Sequence, residues 1–368
     1  AAGKKTARKP NLVFILADQW RSQACGYSGD ANLLGRTPNL DRLAAESVNF
    51  THAVSCCPVC TPYRASLMTG QYPLTHGLFL NDLCLGTRAT SLAQAFGRAG
   101  YDTAYIGKWH LDGHGRSSYI PPERRQGFAY WKVLECTHHY NHSAYYAGYD
   151  QTPRIWPEYD AIAQTQDAQQ YIRARGKRSN PYLLVLSWGP PHNPYDSAPE
   201  AYKKLFAAEK LSMRPNAQPE FSGDLAGYYA HIAALDDCAG ELLKSIDESG
   251  QRDNTIVVFT SDHGDMLGSQ GMSRKQRPWD ESIRVPFLLR YPSVALKRAI
   301  DMPINTPDIM PTLLGLCEVP VPASVQGDDH SALIRGGSAP ADNPVLIQCI
   351  SPFRSEEHTS ELQSPNTI

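Results

Sequence analysis

Leu12-Val13-Phe14-Ile15-Leu16-Ala17, followed at once by Asp18-Gln19, is the stretch that sets the architecture. Six consecutive apolar residues, rich in β-branched and aromatic members, show no polar face. That is the signature of a strand covered on both sides, as in a parallel sheet packed between helices. The pattern of an apolar run closed by polar residues recurs three times. Residues 103–106 lead into Gly107-Lys108-Trp109-His110, residues 182–188 into Pro190-Pro191-His192, and residues 255–260 into Ser261-Asp262-His263-Gly264-Asp265. In open α/β sheets ligands bind outside the carboxyl ends of the strands, so the four segments are expected to converge on one site.

Helical patterns alternate with these runs. Thr37-Pro38 opens one that reaches about Ser47, with Thr as cap and Pro at the first position. Others cover 90–99 (stopped by Gly100), 160–175, 224–249 (ended by Gly250) and 307–316, and a further strand is expected at 286–290. Residues 116–157, rich in Tyr and His, have no period and read as a long loop or insertion, with His138, His139, Tyr140, His142, Tyr145 and Tyr146 as candidate sugar contacts. The fold class is α/β, with a mainly parallel central sheet sandwiched by helices. Apolar residues make up 42% of the 368, enough for a sizeable core, and the net charge of −2 gives no field for nucleic acid or an anionic membrane. No apolar run is long enough to span a bilayer.

A second stretch carries the chemistry: Cys57-Pro58-Val59-Cys60-Thr61-Pro62-Tyr63-Arg64-Ala65-Ser66-Leu67-Met68-Thr69-Gly70. Pro62 suits the first turn of a helix, and Arg64 lies four residues after Cys60 on the same face. A nucleophile and an Arg at a helix N-terminus make a place for an anion. Cys57 and Cys60 also form a C-x-x-C, which a redox pair or half a zinc site would use. Those readings need a thioredoxin-like context or a second ligand pair, and neither is present in the sequence. Elsewhere, Asp18, Gln19, Asp262 and His263 offer two carboxylates, an amide oxygen and an imidazole, a donor set for Ca²⁺, Mg²⁺ or Mn²⁺. Each pair alone is more often a turn or helix cap, and it is two pairs at two strand ends that favour a metal.

Cys-x-Pro-x-Arg followed by Ala-Ser-Leu-Met-Thr-Gly-Gln-Tyr-Pro resembles the signature of the type I sulfatases of the alkaline phosphatase superfamily. The resemblance covers about residues 10–336. It implies that Cys60 is oxidised to Cα-formylglycine by a formylglycine-generating enzyme, and that Asp18, Gln19, Cys60, Asp262 and His263 hold one divalent ion, with Ca²⁺ first and Mn²⁺ or Mg²⁺ behind it. It further implies that Arg64 supports the nucleophile, that Lys108 and Lys275 bind sulfate, that His110 takes a proton from the hydrated aldehyde and that His192 protonates the leaving alcohol. The Lys275 match is the loosest, since Arg274 and Arg277 flank it.

The implied reaction is hydrolysis of sulfate esters, with a sulfated small molecule or glycan as substrate. Asp18-Gln19 and Asp262-His263 depart from the common Asp-Asp and Asp-Asn pairs. They leave a phosphonate monoester or phosphate diester hydrolase as the alternative, and an inactive member or redox module as a third reading. A periplasmic or secreted place of action is expected. Residues 1–9 are expected to be a disordered tail and 10–336 the catalytic domain. Residues 337–353 are expected to begin a truncated C-terminal subdomain. Residues 354–368, with Arg354-Ser355-Glu356-Glu357-His358-Thr359, read as a non-native tail.

Overall fold

The computed structural model describes residues 8–340 and 343–349. A ten-stranded sheet runs in the order Arg298–Ile300, Val48–Phe50, Phe287–Arg290, Thr255–Ser261, Asn11–Asp18, Tyr182–Pro191, Asp102–Lys108, Tyr130–Leu134, Ala144–Ala147 and Arg154–Ile155. The five strands from Thr255–Ser261 to Tyr130–Leu134 are parallel; antiparallel pairs carry the sheet outward on both sides, and the edge strand Arg298–Ile300 then adds parallel to Val48–Phe50. The chain therefore has the α/β architecture its sequence indicates.

Alternation along the first strand explains the two cores. Leu12, Phe14 and Leu16 enter one apolar cluster, and Val13, Ile15 and Ala17 enter the other. The first is closed by the helices Cys60–Thr69, Leu92–Arg98 and Thr306–Leu316, and the second by Pro38–Ala45, Asp160–Arg175 and Ser222–Glu248. The register then places the strand ends. Ala17 pairs with Ser261, and a shift after Leu16 sets Asp18 opposite Pro191. Gly107 pairs with Ser187 at φ +104°, where a Cβ would lie 2.0 Å from the Ser187 carbonyl oxygen, so glycine is required for the strands to approach.

Several sequence expectations need correction. Thr37 does not cap its helix with its side chain: its Oγ1 accepts from Gly26 N and donates to Asp41, and Asp236 from the long helix accepts from Asn39 N and Leu40 N instead. The stretch 116–157 is not one loop, since three of its segments extend the sheet. Two of them, Ala144–Ala147 and Arg154–Ile155, are short or exposed, so no alternation marks them in the sequence. Of the expected tail 1–9, Arg8 and Lys9 are described, and they donate to the carbonyls of Arg178 and Ala99. Residues 343–349 form no strand. They run past the helix Thr306–Leu316, with Asn305 Nδ2 donating to Leu346 O. The expected tail 354–368 lies outside the described residues.

Buried neutral histidines give the fold a pH dependence. His231 sits between the Tyr159 hydroxyl at 2.7 Å and the Pro194 carbonyl oxygen at 3.2 Å, and burial pushes it down to about 4. Burial lowers His76 to about 4 in the same way. A depressed folded pKa means that the unfolded chain binds protons first, so stability is full above about pH 6.5 and is lost as pH falls toward 4. We expect the melting temperature to fall progressively over that window, and to fall less steeply in His231→Gln. A flat profile from pH 7 to 4.5 in both proteins excludes this account.

Candidate active site

Cys60 opens its helix after an extended Val59, with the whole first turn buried. Its Sγ lies 3.6 Å from Asp18 Oδ1, 3.2 Å from His263 Nε2, 3.7 Å from Lys108 Nζ and 3.4 Å from Lys275 Nζ. Four segments distant in sequence thus meet at one sulfur atom. Cys57 does not share this site. It packs with Cys56 and Val59, and burial pushes its thiol up beside Cys56 and Cys349. The two thiols of the C-x-x-C belong to different surroundings.

Arg64 is on the Cys60 face, as the four-residue spacing requires, but its guanidinium is committed to the scaffold. Nε and Nη2 donate to Asp262 Oδ2, Nη2 also to Asp18 Oδ2, and Nη1 to Lys108 O and Ser187 Oγ. Arg64 thereby ties together the ends of four strands. Burial alone would raise Asp18, but Lys108 at 2.6 Å, with His192 and Arg64 nearby, holds it well below the usual carboxylate range. Arg64→Ala leaves two buried carboxylates short of a partner and is expected to cost about 3–5 kcal/mol, read as a drop in the denaturation midpoint. A loss under about 1 kcal/mol, the range of an exposed pair, excludes this buried role.

Asp18, Cys60, Asp262 and His263 present ligand atoms that all lie within 4.8 Å of one another. His263 Nδ1 faces the Gly264 carbonyl oxygen at 3.0 Å, so Nδ1 carries the hydrogen and Nε2 turns its lone pair toward Asp18 and Asp262, at 3.6 and 3.5 Å. Gln19 Nε2 donates to Asp265 Oδ2 at 2.7 Å and to the Tyr195 hydroxyl, which fixes the amide and leaves Oε1 buried without a hydrogen-bond partner among the described residues. Acceptors turned on one another, plus an orphaned amide oxygen, fit a divalent cation.

Lys108 ends its strand and Trp109 is buried against Tyr105, Phe128 and Trp131. The expected extended alternation through His110 does not occur: His110 has φ +57°. Its Nε2 meets Asp82 Oδ1 at 3.0 Å, Asp82 is gripped by Arg116 through both oxygens, and His110 Nδ1 is buried without a partner among the described residues. His192 places Nδ1 2.9 Å from Asn193 O and Nε2 2.8 Å from Lys275 Nζ, while His138 stacks on its ring at 4.6 Å. Lys275 is held between Arg274 and Gln276, both at positive φ, and is buried, unlike Arg274 and Arg277. Of the other insertion residues, Tyr140 is buried, Tyr145 stacks on Trp156, and His139 and His142 are exposed.

Sequence reasoning missed Asp82, Arg116, Ser187 and Tyr195. Asp82 follows no strand and belongs to no periodic segment, so nothing in its neighbourhood separates it from an ordinary loop carboxylate. Asp265 stood inside a quoted motif without a role. It orients Gln19 and accepts from the backbone amides of Leu267 and Arg274, which steadies the Lys275 loop.

The sulfatase family model matches residues 10–319. The chain belongs to the sulfatase family. An ulvan-active sulfatase of Formosa agariphila is 50% identical over 353 residues, 94% of this chain and 69% of that protein. An endo-4-O-sulfatase of Bacteroides thetaiotaomicron is 31% identical, covering 89% and 73%. A Bacteroides thetaiotaomicron sulfatase structure, described for the metabolism of multiple glycosaminoglycans, superposes with a TM-score of 0.85 at 30% identity, covering 91% of this chain and 78% of that one. This sulfatase is a hydrolase of sulfate esters, and that reading is favoured over the phosphonate and phosphate diester alternative. The family implies a divalent metal and formylglycine made from cysteine. Among the described residues no helix is long and apolar enough to cross a membrane.

Proposed function

We propose that this sulfatase removes sulfate from a sulfated carbohydrate outside the cytoplasm, with Cys60 converted to Cα-formylglycine by a formylglycine-generating enzyme. The observation that carries the reading is the ring around Cys60 Sγ: two lysine ammonium groups, an imidazole lone pair and a carboxylate, all within 3.7 Å. The carbohydrate comes from the relatives, an ulvan-active sulfatase and an endo-4-O-sulfatase. Asp18, Gln19, the residue at position 60, Asp262 and His263 would hold the cation, calcium in our assignment, which supplies electrostatic stabilisation of the charge developing at the sulfate.

The remaining work falls to this chain's own side chains. Lys108 and Lys275 approach position 60 from two sides and hold the sulfate oxygens as charge redistributes. His192 delivers a proton to the leaving alcohol from Nε2, since Nδ1 is spent on Asn193 O. His138, stacked on it, keeps the ring in plane. His110 receives the proton that regenerates the aldehyde at Nδ1, because Nε2 is engaged by Asp82. Arg64 acts by positioning Asp18, Asp262 and Lys108 rather than by touching sulfate.

Paired aryl sulfate and aryl phosphate diester substrates test the assignment. Sulfate release should dominate, should vanish on chelation and should return with Ca²⁺. Faster diester cleavage reverses the assignment of the reaction, and restoration by Mn²⁺ or Mg²⁺ but not Ca²⁺ reassigns the ion.

A further inference from the structure

Glu135 follows the strand Tyr130–Leu134 and is 1% exposed. The chemistry assigned to the Cys60 site leaves it unused. Three consecutive amides donate to its carboxylate: Leu111 N to Oε2 at 3.3 Å, and Asp112 N and Gly113 N to Oε1 at 2.8 and 2.9 Å. Successive N–H groups turned inward make a concavity for an anion. A buried carboxylate is costly unless such donors meet it. Burial, with the Asp112 carboxylate nearby, pushes this one up to about 7.

The residues so gathered are those that follow His110. His110 sits at φ +57°, in the left-handed region that side chains other than glycine adopt at a cost. Its N donates to Glu135 O at 2.8 Å, and its carbonyl oxygen accepts at 2.9 Å from Thr61 Oγ1, in the first turn of the Cys60 helix. Gly113, at φ +64°, lies so close to the segment bearing Asp82 that a Cβ there would sit 2.6 Å from Cys84 N. One residue beyond Glu135, Cys136 N donates to the carbonyl oxygen of Arg116, whose guanidinium grips Asp82. The backbone of His110 and the clamp on its carboxylate partner therefore hang on one short segment. We propose that Glu135 is a positioning residue for the step that frees sulfate: it holds the His110 turn in register with Asp82 and with the Cys60 helix, so that Nδ1 meets the proton it takes. The inference rests on the role given to His110 under the sulfatase reading.

The test is Glu135→Gln in the full chain. The amide keeps the size of the side chain but loses the charge, and its NH2 cannot accept from the backbone. Assays run about one pH unit above the Glu135 value, where the wild-type carboxylate is ionised. Sulfate release from an aryl sulfate should slow about ten- to a hundredfold, the scale of a misplaced reacting group. His192, not His110, serves the alcohol, so the aryl alcohol should appear in a burst equivalent to the enzyme, ahead of sulfate. A structural role alone would slow both releases together, without a burst. Hydrogen exchange gives a readout independent of turnover: the amides of Leu111, Asp112 and Gly113 should exchange at least about tenfold faster, while those of the Cys60 helix stay protected.

In the His110→Ala background, Glu135→Gln should add nothing. If Glu135→Gln does not fold, Glu135→Asp, which keeps the charge one methylene short of the amides, decides by the same readouts. A folded variant with wild-type sulfate release, parallel slowing of both releases, independent losses in the double variant, or unchanged exchange at 111–113 overturns the proposal. Failure of the sulfatase reading would appear separately, as wild-type protein without Cys60-dependent turnover in which the exchange result still holds.

Discussion

Cys60→Ala will abolish sulfate release, with a loss of at least ~10⁴-fold in kcat, the scale seen when a nucleophile is removed from an intact site. The residue begins a helix whose N-terminal dipole favours negative charge, and its Sγ marks the point on which Lys108, Lys275, His263 and Asp18 converge. Cys57→Ala is the matched control. It changes a cysteine three residues away that packs with Cys56 and Val59, so turnover should survive. Peptide mass spectrometry of active wild-type protein should find an aldehyde at position 60 in place of the thiol. An active preparation with an unmodified Cys60 thiol, or a Cys57→Ala variant that is folded and inactive, sinks the assignment.

Asp82→Asn is expected to lower kcat on the order of a hundredfold while KM changes little. Asp82 touches no substrate in this reading. Arg116 fixes its carboxylate, which accepts from His110 Nε2 at 3.0 Å, and that bond leaves Nδ1 as the basic atom. Burial brings His110 down to about 4, so the imidazole is neutral at working pH and able to accept a proton. An amide at position 82 can offer a donor instead, which favours the opposite tautomer. His110→Ala should be as slow as the double variant, because both changes remove one function. A structural role alone would move stability and leave kcat, so unfolding midpoints accompany the kinetics. Multiplicative losses in the double variant, or a fall in kcat that tracks loss of folded protein, count against the pairing.

The chain's own residues determined a good deal without tertiary information. Four apolar runs ending in Asp18-Gln19, Lys108, His192 and Asp262-His263 made the sheet and its functional end legible, because a strand buried on both faces leaves an unbroken apolar signature and its carboxyl end a polar one. The Cys60 and Arg64 spacing was legible because both lie on one helix, where geometry is local. Tertiary structure decided the rest. Lys275 became distinct from Arg274 and Arg277 through burial, which no spacing in its loop encodes. Arg64 turned from the anion to Asp18, Asp262, Ser187 and Lys108 O, since its partners come from four strands that its own helix does not adjoin in sequence. His110 acquired Asp82 across 28 residues of chain through a left-handed turn. Periodicity reports what a residue's neighbours along the chain require; charge pairing and enclosure depend on neighbours in space.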